Sequence, residues 1–244
     1  MIRFVDDSLT QTAYEFKNDS AFAVRIKALL KAYSGTQMGE IWVQNPEDPT
    51  ALISKSASVV TLCMNEGADI AEIRDFIGFV GFDCLEGELK DLRAIGVECN
   101  SSGHILFRKA GCPKADLTSF EERSLQDSFS IIERCFSTDC SPQTYADFSH
   151  RIRHSAADYV CSGPSTAMAV SLFEGLGVLG AVATLPQFRK RGLASESVNK
   201  LFAKYPDVGF YALIENEKLL PFYNSLGFKK YSFWGSVKNG AEFF

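Results

Sequence analysis

The stretch Gly180-Ala-Val-Ala-Thr-Leu-Pro-Gln-Phe-Arg-Lys-Arg-Gly-Leu-Ala-Ser195 constrains the fold more than any other part of the chain. Its small and branched residues read as a strand ending at Leu185, because Pro186 has no N–H with which to continue a ladder. A short basic loop then passes through Gly192 into an amphipathic helix from about Gly192 to Lys204. A loop that feeds a helix N-terminus aims unpaired N–H groups at one point, and the helix dipole adds positive potential there. Arg189, Lys190 and Arg191 surround that point with cations. Gly192 lets the backbone approach an anion closely, and Ala194 leaves the helix start uncluttered. A pyrophosphate is the natural occupant. The same residues also describe an ordinary strand-to-helix turn with a solvated charge cluster. Neither G-x-x-x-x-G-K-[ST] nor G-x-G-x-x-G is present, which leaves the phosphate of some other carrier.

The elements around this junction give an order. Ser124–Phe136 and Pro142–His154 read as amphipathic helices, with Leu125, Phe129, Ile132 and Phe136 at helical spacing. Asp158–Cys161, Thr166–Phe173 and Gly177–Leu185 read as successive antiparallel strands. After the helix to Lys204 come a strand Val208–Ile214, a helix Glu217–Leu226 and a closing strand Phe228–Trp234. This is an α/β (α+β) unit, with helices flanking one mixed, mostly antiparallel sheet. At 244 residues the chain has room for two such units, and the turn-rich Gly111-Cys112-Pro113-Lys114 marks a boundary between 1–114 and 115–244.

The first half shows a worn version of the same ending. Phe76-Ile77-Gly78-Phe79-Val80-Gly81-Phe82 aligns with Phe222-Tyr223-Asn224-Ser225-Leu226-Gly227-Phe228 at constant offset, 222 − 76 = 146. Four of the seven pairs are identical or similar, which is what an internal duplication leaves, or a coincidence of two helices ending in Gly-Phe. Ile77 stands opposite Tyr223 in this alignment.

Bulk properties exclude several classes. No apolar run approaches the ~18–20 residues that cross a bilayer, and MIRFVDDSLTQ lacks a signal-peptide core. A net charge of −5 argues against a nucleic-acid binder. Seven cysteines, odd in number and without a C-x-x-C pair, fit small buried hydrophobes in a reducing compartment, so a cytoplasmic location is expected. His150 and His154 have the spacing of a two-histidine metal edge. They lack an intervening glutamate and are flanked by Arg151 and Arg153, so no metal site is expected.

Arg189-x-x-Gly192-x-Ala194 after the strand Val182–Leu185 resembles the R/Q-x-x-G-x-G/A signature of the GNAT superfamily of N-acetyltransferases. Downstream, Asn216 and Pro221-Phe222-Tyr223-Asn224-Ser225-Leu226-Gly227-Phe228 resemble that family's second motif, one helix and one strand further on. The resemblance covers about Ala115 to Trp234. The first half matches only as a degenerate copy, with strands Ala51–Ser54 and Val59–Cys63 but no counterpart of Arg189–Ala194, so two tandem GNAT-like domains are implied.

What the resemblance implies is direct transfer of an acetyl group from acetyl-CoA to a primary amine. Backbone groups of Val182, Ala183 and Thr184 would pair with the pantetheine arm, a form of β-augmentation. Backbone N–H groups from Lys190 through Arg191, Gly192, Leu193 and Ala194 to Ser195 would hold the pyrophosphate, beside Arg189. An N–H near Val182 would meet the developing oxyanion. Tyr223 would protonate the leaving thiolate, a task that suits a phenol; its other reading is a packing aromatic. Asn216 would contact the coenzyme, or cap the helix that follows. The general base is not legible: Gly177–Leu185 contains no acid, and Glu174 lies in the preceding turn.

The alternative is a non-catalytic acyl-CoA-binding or sensing protein. Twelve basic and sixteen acidic side chains up to Lys114, against thirteen and fourteen after it, put most of the acidity in the first half. Glu72, Asp75, Asp83, Glu86, Glu88 and Asp91 fall within twenty residues there, which favours a cationic acceptor or is simply a solvated face. The expected partners are acetyl-CoA and the amine, with no nucleic acid or membrane, in a monomer or homodimer.

Overall fold

A computed structural model of the chain describes residues 1–34, 36, 39–111, 123–136 and 140–238. The boundary expected at Lys114/Ala115 lies outside the described residues. The elements run β1 (Ile2–Phe4), α1 (Thr10–Tyr14), α2 (Ala21–Tyr33), β2 (Glu40–Gln44), β3 (Ala51–Ser56), β4 (Val59–Met64), α3 (Ile70–Val80), β5 (Cys84–Glu88), α4 (Leu89–Ala94) and β6 (Ser101–Arg108). They continue with α5 (Leu125–Phe136), α6 (Pro142–Arg153), β7 (Asp158–Ser162), β8 (Ser165–Phe173), β9 (Leu176–Thr184), α7 (Leu193–Lys204), β10 (Gly209–Ile214), α8 (Leu220–Ser225) and β11 (Lys229–Lys238). Two 3₁₀ turns, Pro186–Phe188 and Glu217–Leu219, precede α7 and α8.

Contacts divide the chain into two units that interleave in sequence. One holds Met1–Ile105, Leu213–Glu217 and Lys230–Phe244; the other holds Leu106–Ala212 and Lys218–Lys229. In the first, β2, β3 and β4 form an antiparallel meander, and α3 then crosses over to bring β5 parallel to β4. β11, read from the sequence as the closing strand of the second half, pairs antiparallel with β5 instead, from Trp234↔Glu88 to Lys238↔Cys84. Val237 of β11 is completely buried among Ile53, Leu62, Ile73, Ile77 and Leu85. In the second unit β7, β8 and β9 repeat the meander, and α7 crosses over to a parallel β10. Leu125, Phe129 and Ile132 of α5 pack on Cys161, Met168 and Ala183. α7 lies on the other face, where Lys204 pairs with Asp158 at 2.8 Å and Lys200 donates to Ser162 Oγ at 3.5 Å. Adjacent strand residues alternate faces, so Cys161 meets α5 while Ser162 meets α7.

The duplication is present in these topologies, but not in the register that the Phe76/Phe222 match gives. α3 sits between parallel strands, so its counterpart is α7. The counterpart of α8 is α4, at a different constant offset: 227 − 96 = 131 and 228 − 97 = 131. Both helices end in the same hydrogen bonds. Gly96 N–H donates to Arg93 O at 3.0 Å and Val97 N–H to Leu92 O at 2.9 Å; Gly227 N–H donates to Asn224 O at 3.0 Å and Phe228 N–H to Tyr223 O at 3.1 Å. Gly96 and Gly227 take φ of 82° and 87°, the left-handed conformation that glycine accepts without strain. The residue opposite Tyr223 is therefore Leu92 rather than Ile77.

The first unit carries a buried carboxylate at this place. Asp91 of α4 is 6% exposed and accepts the Met64 N–H at 3.2 Å, just past the last β4–β5 pair, Leu62↔Gly87. Burial pushes its pKa up to about 6. A group whose folded pKa is raised stabilises most below its unfolded value, near 4, and that contribution is lost as pH rises through about 6. We expect the stability of the wild type, relative to Asp91→Asn, to fall by on the order of 2 kcal/mol between about pH 4 and 7. Chemical denaturation across that range measures it, and parallel pH profiles for the two proteins would contradict it.

Candidate functional site

The site begins with a ladder that stops short. β9 pairs with β10 through only four positions, Leu176↔Gly209 to Leu179↔Ala212, yet β9 continues to Thr184 and β10 to Ile214. The cause lies in β9 itself. Between Met168↔Gly180 and Thr166↔Ala183 it carries one residue more than β8, a bulge, and Ala181 takes φ 46° to accommodate it. Gly180 is required there: a Cβ would lie 2.9 Å from Val170 Cγ1. The bulged strand turns from β10, and Val182, Ala183 and Thr184 follow with their β10-side backbone edge unpaired by that strand. Such an edge accepts an extended, amide-bearing ligand as an additional strand.

Thr184 leads into the 3₁₀ turn and then the basic loop. Arg189 donates its Nε–H to Thr184 O at 3.1 Å, closing the loop on the strand end. Lys190 (φ 62°) and Gly192 (φ 80°) are both left-handed, while Arg189 and Arg191 are not. Arg191 lies over the Phe188 ring, 5.5 Å from its centroid. Gly192 is the N-cap of α7 and no side chain caps the helix; its first internal bond is Glu196 N–H to Gly192 O at 3.0 Å. The N–H groups of Gly192, Leu193, Ala194 and Ser195 therefore have no acceptor among the described residues. Four donors, a helix dipole and three basic side chains converge on one exposed turn.

The equivalent helix of the first unit is closed to such a ligand by its own carboxylates. Asp69 is the N-cap of α3 and accepts the Glu72 N–H at 3.0 Å. Glu72 adds a second carboxylate in that turn, held by Ile2 N–H, Gln44 and the N-terminal ammonium.

Tyr223 stands on α8, buried and edge-on to Phe228 at 5.4 Å and to Phe222 at 5.1 Å. Phe228 continues through Phe202 of α7 to Phe210 of β10, so the ring stack ties α8 to the crossover helix. The phenol makes no hydrogen bond among the described residues, and burial raises its pKa. Arg108, at the end of β6, is a residue that the sequence alone did not single out. It donates to Leu226 O at 3.1 Å and lies 4.2 Å over Phe202, holding the end of α8 against α7. Nothing in its immediate sequence marks it.

Asn216 follows β10 and belongs to the first unit, directly before the 3₁₀ turn Glu217–Leu219; the N-cap of α8 itself is Leu219. Glu174 (φ 41°) lies in the tight β8–β9 turn with Gly175, at the end of β9 away from the loop. His150 and His154 stack at 4.3 Å, and no group of three potential metal ligands comes together among the described residues. His104, in the first unit, bonds Glu217 at 2.6 Å through Nε2.

Comparison with known proteins bears on the fold and the family. Residues 131–228 match the model of the Acetyltransferase (GNAT) family. No curated protein matches the chain. Among solved structures, a GCN5-related N-acetyltransferase from Kribbella flavida is 11% identical, covering 91% of this chain and 95% of its own, with a TM-score of 0.59. A tandem GNAT protein from the clavulanic acid biosynthesis pathway, solved without acetyl-CoA, is 11% identical over 99% and 100% of the two chains, with a TM-score of 0.58. An acetyltransferase from Pyrococcus horikoshii is 10% identical over 100% and 90%, with a TM-score of 0.62. Residues 131–228 thus match the Acetyltransferase (GNAT) family, in a chain whose fold is that of tandem GNAT proteins.

Proposed function

We propose that this protein is an acetyl-CoA-dependent N-acetyltransferase that passes the acetyl group directly to a primary amine, with the working site in the second unit. The observation that carries the reading is the conjunction on β9 and α7: an unpaired strand edge at Val182–Thr184 runs straight into an uncapped, cation-ringed helix N-terminus. In this reading Val182, Ala183 and Thr184 pair with the amide-rich pantetheine arm, and Gly192 to Ser195, with Arg189, Lys190 and Arg191 around them, hold the pyrophosphate. The Val182 N–H is the donor for the oxyanion as the amine attacks the thioester carbonyl. Tyr223 returns a proton to the departing thiolate. Asn216 is assigned a contact with the coenzyme. The first unit is read as a degenerate GNAT-like copy, since Asp69 occupies the position that an anion needs at the α3 N-terminus.

Of the acidic run, Glu72, Glu86, Glu88 and Asp91 are engaged by partners in their own unit. The charge of the acceptor is therefore better read from the second unit than from that run. A cytoplasmic protein fits the six described cysteines, all of them free, and no described helix is long and apolar enough to cross a membrane. The absence of any carboxylate from β9 favours one competing reading, a non-catalytic acyl-CoA sensor.

Two substitutions test these readings. Gly192→Glu brings a carboxylate and a strained side chain to φ 80°, and should remove acetyl-CoA binding measured by calorimetry. Retained micromolar affinity in the variant would place the coenzyme elsewhere. Tyr223→Phe should lower kcat by about 10–100-fold while coenzyme affinity changes little. An unchanged kcat removes Tyr223 as the acid, and absence of thiol release from the native protein with every amine supports the sensor. Because burial raises the Tyr223 pKa, the phenol stays protonated through neutral pH. The high-pH fall in rate due to it should begin only above about pH 10.

A further inference from the structure

A second feature of the same unit bears on what the site accepts. On the α5 face of β7–β9 lies a cleft of about 350 Å³, walled by Arg123 and Arg134 and floored by Ile131, Pro164, Leu185 and Phe188. Leu185 and Phe188 belong to the turn that leads into the basic loop, so cleft and loop share one stretch of chain. Arg108 is engaged with Leu226 O, Arg151 with Asp147 and Arg189 with Thr184 O, whereas Arg153 and Arg191, like the exposed Arg123 and Arg134, are not. Arg123 and Arg134 are the two that line the cleft. Among the described residues neither guanidinium has a hydrogen-bond or ion-pair partner. Asp127, the one carboxylate in the wall, accepts the Ser124 N–H and hydroxyl at its Oδ2, at 3.2 and 2.7 Å. Two unpaired planar cations over an apolar floor form a receptor for a phosphate or carboxylate group attached to a nonpolar body.

We propose that this cleft is an oxyanion subsite in which Arg123 and Arg134 hold a phosphate or carboxylate group of a ligand of the transferase site. The proposal rests on the reading of that site given above and extends it to the ligand's charge. Two sources share the chemistry: the ribose 3′-phosphate of the coenzyme, and an anionic group on the acceptor amine. α7, with the pyrophosphate turn, and α5, with the cleft, lie on opposite faces of the meander, and the sheet is open between β9 and β10 beyond Leu179. An acceptor anchored from the α5 face would meet the thioester through that opening.

The first measurement uses inorganic phosphate on the Gly192→Glu protein, in which the helix N-terminus is blocked. Phosphate should raise its thermal stability above that in chloride of equal ionic strength, and adding Arg123→Gln and Arg134→Gln should abolish the rise. Equal stabilities in phosphate and chloride, or a rise that survives both substitutions, would overturn the subsite. The second measurement keeps Gly192 and compares native protein with the Arg123→Gln/Arg134→Gln variant. A preference of about tenfold for acetyl-CoA over its 3′-dephospho analogue, lost in the variant, assigns the subsite to the coenzyme. A preference of about tenfold in kcat/KM for amines bearing a carboxylate or phosphate, carried by KM and lost in the variant, assigns it to the acceptor. Neither preference in the native protein would overturn the proposal. If acetyl-CoA fails to bind at all, the transferase reading falls, while the phosphate measurement still reports on the cleft.

Discussion

Everything in the second unit follows from where the β9–β10 ladder is allowed to stop. Two parallel strands with a helix between them bury both faces best when paired along their whole length. Here the extra residue at Ala181 breaks that pairing after Leu179, and backbone amides of an interior strand are left without strand partners on one side. Such groups are costly to bury empty and inexpensive to expose to a ligand that supplies the missing bonds. The bulge also fixes the direction in which Thr184 leaves the sheet, and so where the loop and the first turn of α7 sit. The strand edge and the helix N-terminus are two ends of one covalent lever.

The two units show how little chemistry separates an open crossover from a closed one. Both have a meander, a crossover helix, a parallel strand and a short helix ending in a left-handed glycine. In the second, the crossover helix starts at Gly192 with nothing on its first amides; in the first, it starts at Asp69, whose own carboxylate takes the place of an external anion. Asp91 does the same for the strand, accepting the amide of Met64 where β4 runs beyond β5. Side-chain oxygens have satisfied internally what the other unit leaves open.

Local signals in the sequence were reliable, and relations between distant segments were not. Pro186, the basic triplet and Gly192 announce the loop because each acts through its own backbone or charge, and the helix begins at Leu193, one residue after the Gly192 read from the sequence. The family motifs at Arg189–Ala194 and Pro221–Phe228 fall within the matched domain for the same reason. The duplication was visible but misaligned, because Gly-Phe after a helix is a stop signal that α3 and α8 share without being counterparts. The correct match, α4 with α8, preserves backbone hydrogen bonds and a glycine φ, with Leu89/Leu220 identical and Ile95/Leu226 similar, but shares no Gly-Phe pair to announce it. The bulge at Ala181 was illegible, since a run of Gly, Ala and Val fits a regular strand equally well. Arg108, Arg123 and Arg134 were missed because an arginine's partner, or the lack of one, is a property of the folded chain.

The exchange of strands between the two sequence halves has a consequence for how the protein comes into being. The last strand of the first unit, β11, is made more than a hundred residues after that unit's other strands, and Val237 closes a core that Ile53 and Leu62 began. A chain emerging from a ribosome therefore carries β5 with a bare edge and a half-covered apolar face through most of its synthesis. The second unit takes only Leu106–Arg108 from the end of β6, and these are already made when α5 appears. Its last segment ends at Lys229, before β11 is made, so the units are completed in the opposite order to that in which the halves begin in the sequence.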